Sequence, residues 1–389
     1  MRRPTLSRAA AITSVLLVTL SACGWAAATP SFARVALELV AGAPAPDHQN
    51  ASQFLEADAQ GRVFLLHGDT LEVDQILPSG RIVVGRTPHG GEASGDVVMD
   101  TALSPDGSSW LLSTGPDELM LLTGEDRRQL PTPHWWISAL AYTADGPVVA
   151  VVPAWVGGAD TTGQAEWDKP PLLLRFDDQK WQTLSVQEPL DDLTRQTHGA
   201  QDPPAVPSLE EIKGERDTSL AAERKGALWT MQQNAYLLKR YSRQGAVEES
   251  VAVNGGHVQW KDRSEEDWKA LEKASQAAGA TFTRSRHPQA AAVRVVRGLT
   301  TQDNRIYLVV ETPEGVALDR WDEGTQILDR LLLVGITPGR SYLSVAAGRD
   351  GLYMTARGLG EPIWRLDWQR LEDAKWKAVP DAVVQRPRK

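Results

Sequence analysis

Ser219-Leu220-Ala221-Ala222, then Lys225-Gly226, then Ala227-Leu228-Trp229-Thr230-Met231, and further on Lys239-Arg240-Tyr241 before Gln244-Gly245: residues 219–247 hold one complete copy of a unit that recurs along the chain. Lys225-Gly226 tolerates the positive φ of a two-residue hairpin, so the runs on either side pair as antiparallel strands. The same turn recurs at Gln60-Gly61, Asp106-Gly107, Asp145-Gly146, Asp303-Asn304 and Asp350-Gly351. After each turn comes a strand with little alternation, as in Val63-Phe64-Leu65-Leu66, Trp110-Leu111-Leu112, residues 148–152, residues 306–310 and Leu352-Tyr353-Met354. A strand apolar on both faces must be covered on both faces. About six such units in tandem satisfy this when every sheet is sandwiched between two neighbours, so the fold class expected is all-β, a six-bladed β-propeller with short helical insertions.

A third strand sets a basic residue beside an aromatic or Leu, at Leu174-Arg175-Phe176, Lys239-Arg240-Tyr241, Asp319-Arg320-Trp321 and Trp364-Arg365-Leu366. Turns at Ser79-Gly80, Gly124, Gln244-Gly245 and Gly324 then lead to an outermost strand. With these motifs the chain resembles the NHL-like six-bladed propellers, best over residues 54–84 and 219–247 and roughly over 51–380. The resemblance implies a fold and no activity. Residues 34–41, Arg-Val-Ala-Leu-Glu-Leu-Val-Ala, read as an extra strand that pairs with the last blade and closes the ring, which removes an exposed sheet edge. The expected organisation is a signal segment at 1–22, a tether and closing strand at 23–50, the propeller at 51–380 and a tail at 381–389.

The amino terminus carries its own instruction. Arg2, Arg3 and Arg8 precede an apolar stretch, residues 9–20, that is too short to span a bilayer and reads as an export signal. Leu20-Ser21-Ala22-Cys23 resembles the lipobox of bacterial lipoproteins, which implies lipidation of Cys23, the only cysteine of the 389 residues; ordinary cleavage after Ala28 or Ala33 is the alternative. Gly24 stands where inner-membrane retention calls for Asp, so the resemblance implies the periplasmic side of an outer membrane. Loss of the signal removes three Arg and leaves 38 basic against 50 acidic side chains, about −12, which disfavours nucleic acid as a partner.

Hairpin geometry locates a functional face. The start of each first strand and the end of each second strand share one end of the blade. Those positions are polar: Gln53, Asp100, Ser138, Ser219, Arg297 and Ser344 on one count, His67, Ser113, Thr114, Gln232, Glu311 and Arg357 on the other. Of these, His67, Asp100, Gln232, Arg297, Glu311 and Arg357 are the candidate ligand-binding residues at the mouth of a central channel. Three long insertions, residues 154–170, 188–217 and 254–289, connect strands at the same end, which favours a lid or docking surface there. Within them, residues 264–279 read as a short amphipathic helix capped by Ser264, and residues 208–214 as one or two helical turns.

Chemical motifs are sparse. The seven His residues (His48, His67, His89, His134, His198, His257 and His287) show no metal-ligand spacing, and no phosphate loop or nucleophile elbow follows a strand. In the gluconolactonase and regucalcin group, also six-bladed, a Glu and channel Asn residues hold a divalent metal; the corresponding positions here fall near Ser52 and Met99, which cannot serve as those ligands. No metal and no cofactor is expected. Fourteen Trp residues fill gaps between sheets, while Trp135, Trp136, Trp155, Trp167, Trp260 and Trp268, in or beside the loops, are also suited to stack on sugar rings or anchor a protein. The function expected is a membrane-anchored, monomeric binding or scaffold module for an envelope protein, peptide or glycan. The alternative is a lactonase-like hydrolase or quinone-dependent sugar dehydrogenase acting in the channel mouth.

Overall fold

The computed structural model describes residues 32–41, 52–77, 79–80, 82–85, 98–133, 135–155, 172–186, 218–223, 226–232, 236–253, 260–261, 266, 269–270, 272–273, 287–288, 294–336, 343–356, 362–380 and 382–386. Of the seven sheets among the described residues, six are blades, each with its own strands antiparallel and built in chain order from the axis outward, and the seventh is a two-stranded ribbon. Blade 1 runs Gln53–Ala57, Val63–His67, Val73–Ile76, Ile82–Gly85; blade 2 runs Asp100–Leu103, Ser109–Ser113, Leu119–Thr123, Asp126–Gln129. Blade 3 comprises Trp135–Thr143, Gly146–Trp155, Leu172–Asp177 and Lys180–Val186, and blade 4 Thr218–Ala222, Leu228–Gln232, Leu237–Tyr241 and Val247–Val253. Blade 5 comprises Arg294–Gln302, Arg305–Thr312, Gly315–Asp322 and Ile327–Val334, and blade 6 Leu343–Ala347, Gly351–Ala356 and Ile363–Asp367. The protein is a six-bladed β-propeller.

The doubly apolar second strands are explained by where their alternate residues go. Leu65 joins blade 6 residues Ala346, Tyr353 and Ile363, whereas Leu66 joins blade 2 residues Leu103, Trp110 and Leu112. In blade 5, Ile306, Leu308 and Val310 pack on Trp229, Met231 and Leu238 of blade 4, while Tyr307 and Val309 pack on Leu343, Leu352 and Met354 of blade 6. Comparable clusters join blades 2 and 3 and blades 3 and 4. Each junction thus has its own apolar core, and the ring closes because blade 6 meets blade 1.

The hairpin turns hold the backbone that the sequence anticipates. Gly61, Gly107 and Gly226 take φ of 74°, 77° and 89°, and in blade 5 it is Asp303, at 55°, that supplies the positive φ. Gly61 has a second constraint: a Cβ would lie 2.8 Å from Arg349 N, because Arg349 N donates to Gly61 O across the blade 6 to blade 1 junction at 2.8 Å. The basic residue of the third strand acts as a cross-tie within its blade. The Arg240 guanidinium donates to Glu223 at 2.8 Å and to Glu248 at 2.5 Å, and that of Arg365 to Asp350 at 2.6 Å and Glu38 at 3.0 Å.

Both terminal regions wrap the outside. Arg34–Ala36 adds to blade 5 in parallel with Leu332–Val334, and Glu38–Ala41 then completes blade 6 antiparallel to Ile363–Asp367. The expected closing strand therefore serves two blades. At the other end, a helix, α1 (Trp368–Asp373), is capped by Asp367, whose carboxylate accepts from Gln369 N at 2.8 Å, and buries Leu371. Lys377–Ala378 then pairs with Asp329 and Arg330 of blade 5, and Ala382–Gln385 becomes a fifth strand on blade 4. This strand lies beyond the boundary at 380 that the sequence suggests. Neither α1 nor the carboxy-terminal wrap is visible in the periodicity, since both depend on apolar grooves supplied by distant blades. Within residues 264–279, Glu266, Lys269, Ala270, Glu272 and Lys273 are helical and the rest lie outside the described residues, as do residues 208–214. Among the described residues no helix is long and apolar enough to cross a membrane.

Candidate functional site

The six innermost strands enclose a central channel of about 150 Å³. Each contributes a run of consecutive residues, such as Leu55 to Ala59 or Ala139 to Tyr142, because an innermost strand turns one unpaired backbone edge to the axis. Small side chains dominate the wall. Its polar groups are Asp100, Ser138, Ser219 and Ser344 toward the strand starts, Thr101, Thr300 and Glu56 within, and Asp58, Tyr142, Glu223 and Thr301 toward the turns.

Several of these polar groups bind the neighbouring blade. Ser344 Oγ accepts from Leu55 N at 2.8 Å and donates to Leu55 O at 3.1 Å, which satisfies the free edge of blade 1 from blade 6. Asp100 Oδ2 accepts from Leu140 N at 3.0 Å, Thr101 Oγ1 donates to Glu56 Oε1 at 3.2 Å, and Thr301 Oγ1 donates to Ala222 O at 3.0 Å. A buried, unpaired backbone group costs about 1–3 kcal/mol, so these side chains stitch the inner edges together as well as lining the channel. On the turn side, Ala59 N donates to Pro105 O at 2.8 Å and Arg62 Nη2 to Asp106 O at 2.9 Å, joining blades 1 and 2.

The sequence-predicted residues divide by radius. Asp100 lines the channel. His67, Gln232 and Glu311 stand at the ends of second strands, opposite Gln53, Thr218 and Arg294, at the expected end of the blade but one strand further out. His67 is buried, with Nε2 3.0 Å from Asp74 Oδ2 on the third strand of its own sheet. Gln232 is buried too, and its Oε1 has no hydrogen-bond partner among the described residues; the same holds for Nε2 of Gln53. Arg297 sits where blade 5 bulges between Val295 and Gly298, and its side chain lies outside the described residues, as does Arg357. Counting along strands finds the end of the blade but not the distance from the axis. The channel residues Glu56, Thr101 and Thr300 escape such a count for that reason, although each is a polar residue inside a first strand.

The ends that hold the three insertions also share a side. Residues 154–170 leave the second strand of blade 3 and return to its third, residues 188–217 run from the fourth strand of blade 3 to the first of blade 4, and residues 254–289 lead from the fourth strand of blade 4 toward the first of blade 5. All three depart from the blade end opposite the Gly turns. Little of them lies among the described residues, but Trp260–Lys261 pairs with Pro288 and His287 as a two-stranded ribbon. Among the Trp residues named above, Trp135 packs against the core between blades 2 and 3.

Electrostatic pressure gathers away from that end. Burial and the neighbouring carboxylate of Glu223 push Glu323 up to about 7 at the junction of blades 4 and 5. Burial would raise Glu223 as well, but hydrogen bonds from Arg240 and from Trp229 Nε1 at 2.5 Å hold it below the ordinary value. Hydrogen bonds from Ser104 and Ser108 bring Asp106 down to about 2. Among the described residues no group of three His, Cys, Asp or Glu is placed to hold a metal ion.

No family model and no curated protein matches the chain. Its fold is similar to solved propellers at low identity. A streptogramin B lyase is 12% identical with a TM-score of 0.45, covering 85% of this chain and 97% of that one. A virginiamycin B lyase from Staphylococcus aureus is 12% identical, TM-score 0.44, covering 85% and 98%, and the β-propeller domain of Cps50 (Swd1) from Myceliophteria thermophila is 10% identical, TM-score 0.42, covering 85% and 99%.

Proposed function

We propose that the protein is a lipid-anchored extracytoplasmic propeller that binds an envelope protein, peptide or glycan through its insertion-bearing end. The observation that carries this reading is the common departure point of the three insertions, on the end of the ring opposite the minimal Gly turns. A ring whose inner edges are stitched by Ser344, Asp100 and Thr301 is a stiff platform, and stiff platforms carrying long loops suit recognition. Gln232 and Gln53 deepen the case. Each holds a buried amide atom near that end with no hydrogen-bond partner among the described residues, and a ligand's polar group there would relieve about 1–3 kcal/mol of desolvation.

The NHL-like motifs and the lipobox at Cys23 belong to the same proposal, with the periplasmic side of an outer membrane as the address. Two acyl chains suffice for stable anchoring. Metabolic labelling with a palmitate analogue should mark the wild-type chain and leave Cys23→Ser unlabelled. For the binding face, cross-linking and capture from the producing cells' envelope should lose its partner when residues 254–289 are replaced by a short Gly-Ser loop. Capture that persists unchanged in this variant, and in Gln232→Leu, sinks the proposed face.

A further inference from the structure

Where blades 4 and 5 meet on the turn side, one guanidinium faces three carboxylates. Arg240, on the third strand of blade 4, has its Nε 2.8 Å from Glu223 Oε1 and 3.5 Å from Glu323 Oε1, and its Nη1 2.5 Å from Glu248 Oε2. Glu223 follows the first strand of blade 4 and lines the channel, whereas Glu323 comes from blade 5, in the turn of residues 323–326 between its third and fourth strands. The Glu248 side chain is 43% exposed, so water screens it, but those of Glu223 and Glu323 are only 8% and 21% exposed. Two carboxylates so close and so poorly solvated cannot both ionise freely beside a single cation. A proton resolves the excess: the Glu323 carboxyl donates to the Glu223 carboxylate, which also accepts from Arg240 and from Trp229 Nε1.

The turn that carries Glu323 keeps its own shape. Gly324 N and Thr325 N donate to Asp322 Oδ1 at 2.9 and 3.0 Å, Gln326 N donates to Asp322 O at 2.8 Å, and Arg305 Nε holds Asp322 Oδ2 at 3.1 Å. Toward blade 4, its polar attachments among the described residues are those of Glu323 to Glu223 and Arg240, and of Gln326 Nε2 to Glu249 Oε1 at 3.4 Å. Glu249 also accepts from Arg386, just beyond the carboxy-terminal strand, at 3.3 Å. The charged and hydrogen-bonding groups around the pair are thus Arg240, Trp229, Glu248 and Glu249 of blade 4, Arg386, and Asp322 with Arg305 of blade 5. Among the described residues, Arg240 is the only cation within 4 Å of Glu323. A self-contained turn joined to its neighbour by one proton and one long hydrogen bond can leave that neighbour without unfolding its blade.

We propose that Glu323 and Glu223 form a proton-operated clasp between blades 4 and 5: it is closed while the two carboxyl groups share a proton, and loss of that proton frees residues 323–326 from blade 4. The direction follows from which state holds the proton more tightly. The docked turn holds Glu323 at about 7, and a turn standing free in water returns it toward the ordinary 4.5, so acid favours closure and docking weakens as pH rises through that interval. The clasp lies at the end of the ring opposite the insertions and does not depend on the anchor or the binding face proposed above.

The test measures the distance from the turn to blade 4. In the full chain carrying Cys23→Ser, spin labels are placed at Thr325→Cys and Gln244→Cys, both exposed positions, and their separation is recorded by pulsed electron resonance at pH 6 and pH 8. The ratio of long to short separations should rise roughly tenfold between these values. Glu323→Gln, whose amide donates to Glu223 at either pH, should keep the pH 6 distribution throughout, and Glu323→Ala should show the open distribution at both. A control pair, Lys180→Cys with Gln244→Cys across blades 3 and 4, should not change. A second reading needs no labels: the indole N–H of Trp229, bonded to Glu223, should shift in NMR with a midpoint near 7 and stay flat in Glu323→Gln. Circular dichroism checks that each variant is folded. Separations equal at pH 6 and pH 8, or a pH dependence that survives Glu323→Gln, overturn the proposal. So does a Trp229 signal that titrates while the separation stays fixed, because the pair then exchanges its proton without moving the turn.

Discussion

Blades 2 and 5 arise from the same repeat and are finished in opposite ways. Blade 2 has strands of four or five residues, and its outermost strand, Asp126–Gln129, is exposed at every position. The charged residues Asp126, Arg127 and Arg128 protect that edge from pairing with another chain. Blade 5 has strands of eight or nine residues, and its edge is covered by Arg34–Ala36 and Lys377–Ala378. It also buries an ion pair: Arg330 donates to both oxygens of Asp319, at 2.6 and 2.7 Å, Tyr236 of blade 4 donates to the same carboxylate, and the Phe32 ring lies 5.4 Å from the guanidinium. Burial and the Asp319 charge raise Tyr236 well above the ordinary tyrosine value, so its hydroxyl remains a donor. The comparison teaches that equal inner hairpins can carry unequal outer layers, one shielded by charge and one by the chain's own ends.

The largest effect expected from this difference is at the buried pair. Asp319→Ala leaves Arg330 charged and unpaired in the interior and should cost about 3–5 kcal/mol in urea unfolding; a loss under about 1 kcal/mol would mean that solvent reaches the guanidinium. Next come the cores, where the two blades should behave alike. Leu308→Ala in blade 5 and Leu112→Ala in blade 2 remove fully buried side chains and should each cost roughly 2–5 kcal/mol. A much smaller value for Leu112→Ala would show that the short strands of blade 2 relax into the cavity, and the contrast would then extend inward.

A smaller effect depends on pH. Glu323, at the edge of blade 5, is pushed up to about 7 from the ordinary 4.5, so the folded protein holds its proton over that interval while the unfolded chain has released it. Its contribution to stability is complete below about 4.5 and is lost as pH rises to about 7. Asp106, Asp145, Asp322 and Glu223 are held low and work in the other direction, stabilising at neutral pH and losing that contribution in acid. Glu323→Gln should therefore raise the Tm at pH 8 and leave it nearly unchanged at pH 4. Equal shifts at both values would place the carboxylate outside the Glu223 contact. The smallest effect is at the exposed edge of blade 2, where Arg127→Ala should stay within about 0.5 kcal/mol by the same urea measurement; aggregation of that variant would confirm the protective role of the charge.

Much of this was legible in the residues. The turn at Asp106-Gly107 and the doubly apolar Trp110-Leu111-Leu112 announce one hairpin and two neighbours whatever surrounds them. The site was legible in height but not in radius: Asp100 and His67 stand at one end of adjacent blades, yet the first faces the channel and the second bonds to Asp74 inside its sheet. Trp368 and Trp376 had no periodic signal, because their grooves are supplied by blades 5 and 6; the Trp368 ring sits 5.6 Å from that of Tyr307 and Trp376 lies 4.1 Å from the Arg320 guanidinium.

By itself the sequence determined the repeating unit, a blade number of about six that the structure fixes at six, the handoff from turn to strand and the presence of a closing segment near residues 34–41. These follow from local rules, positive φ at a turn and period-two burial, that act over a few residues. Only the tertiary structure decided which polar groups face the channel, which stitch blades together and which edges the chain ends cover. Such choices depend on contacts like that of Leu55 with Ser344, 289 residues apart, and no local pattern specifies which distant partner an unpaired edge will meet.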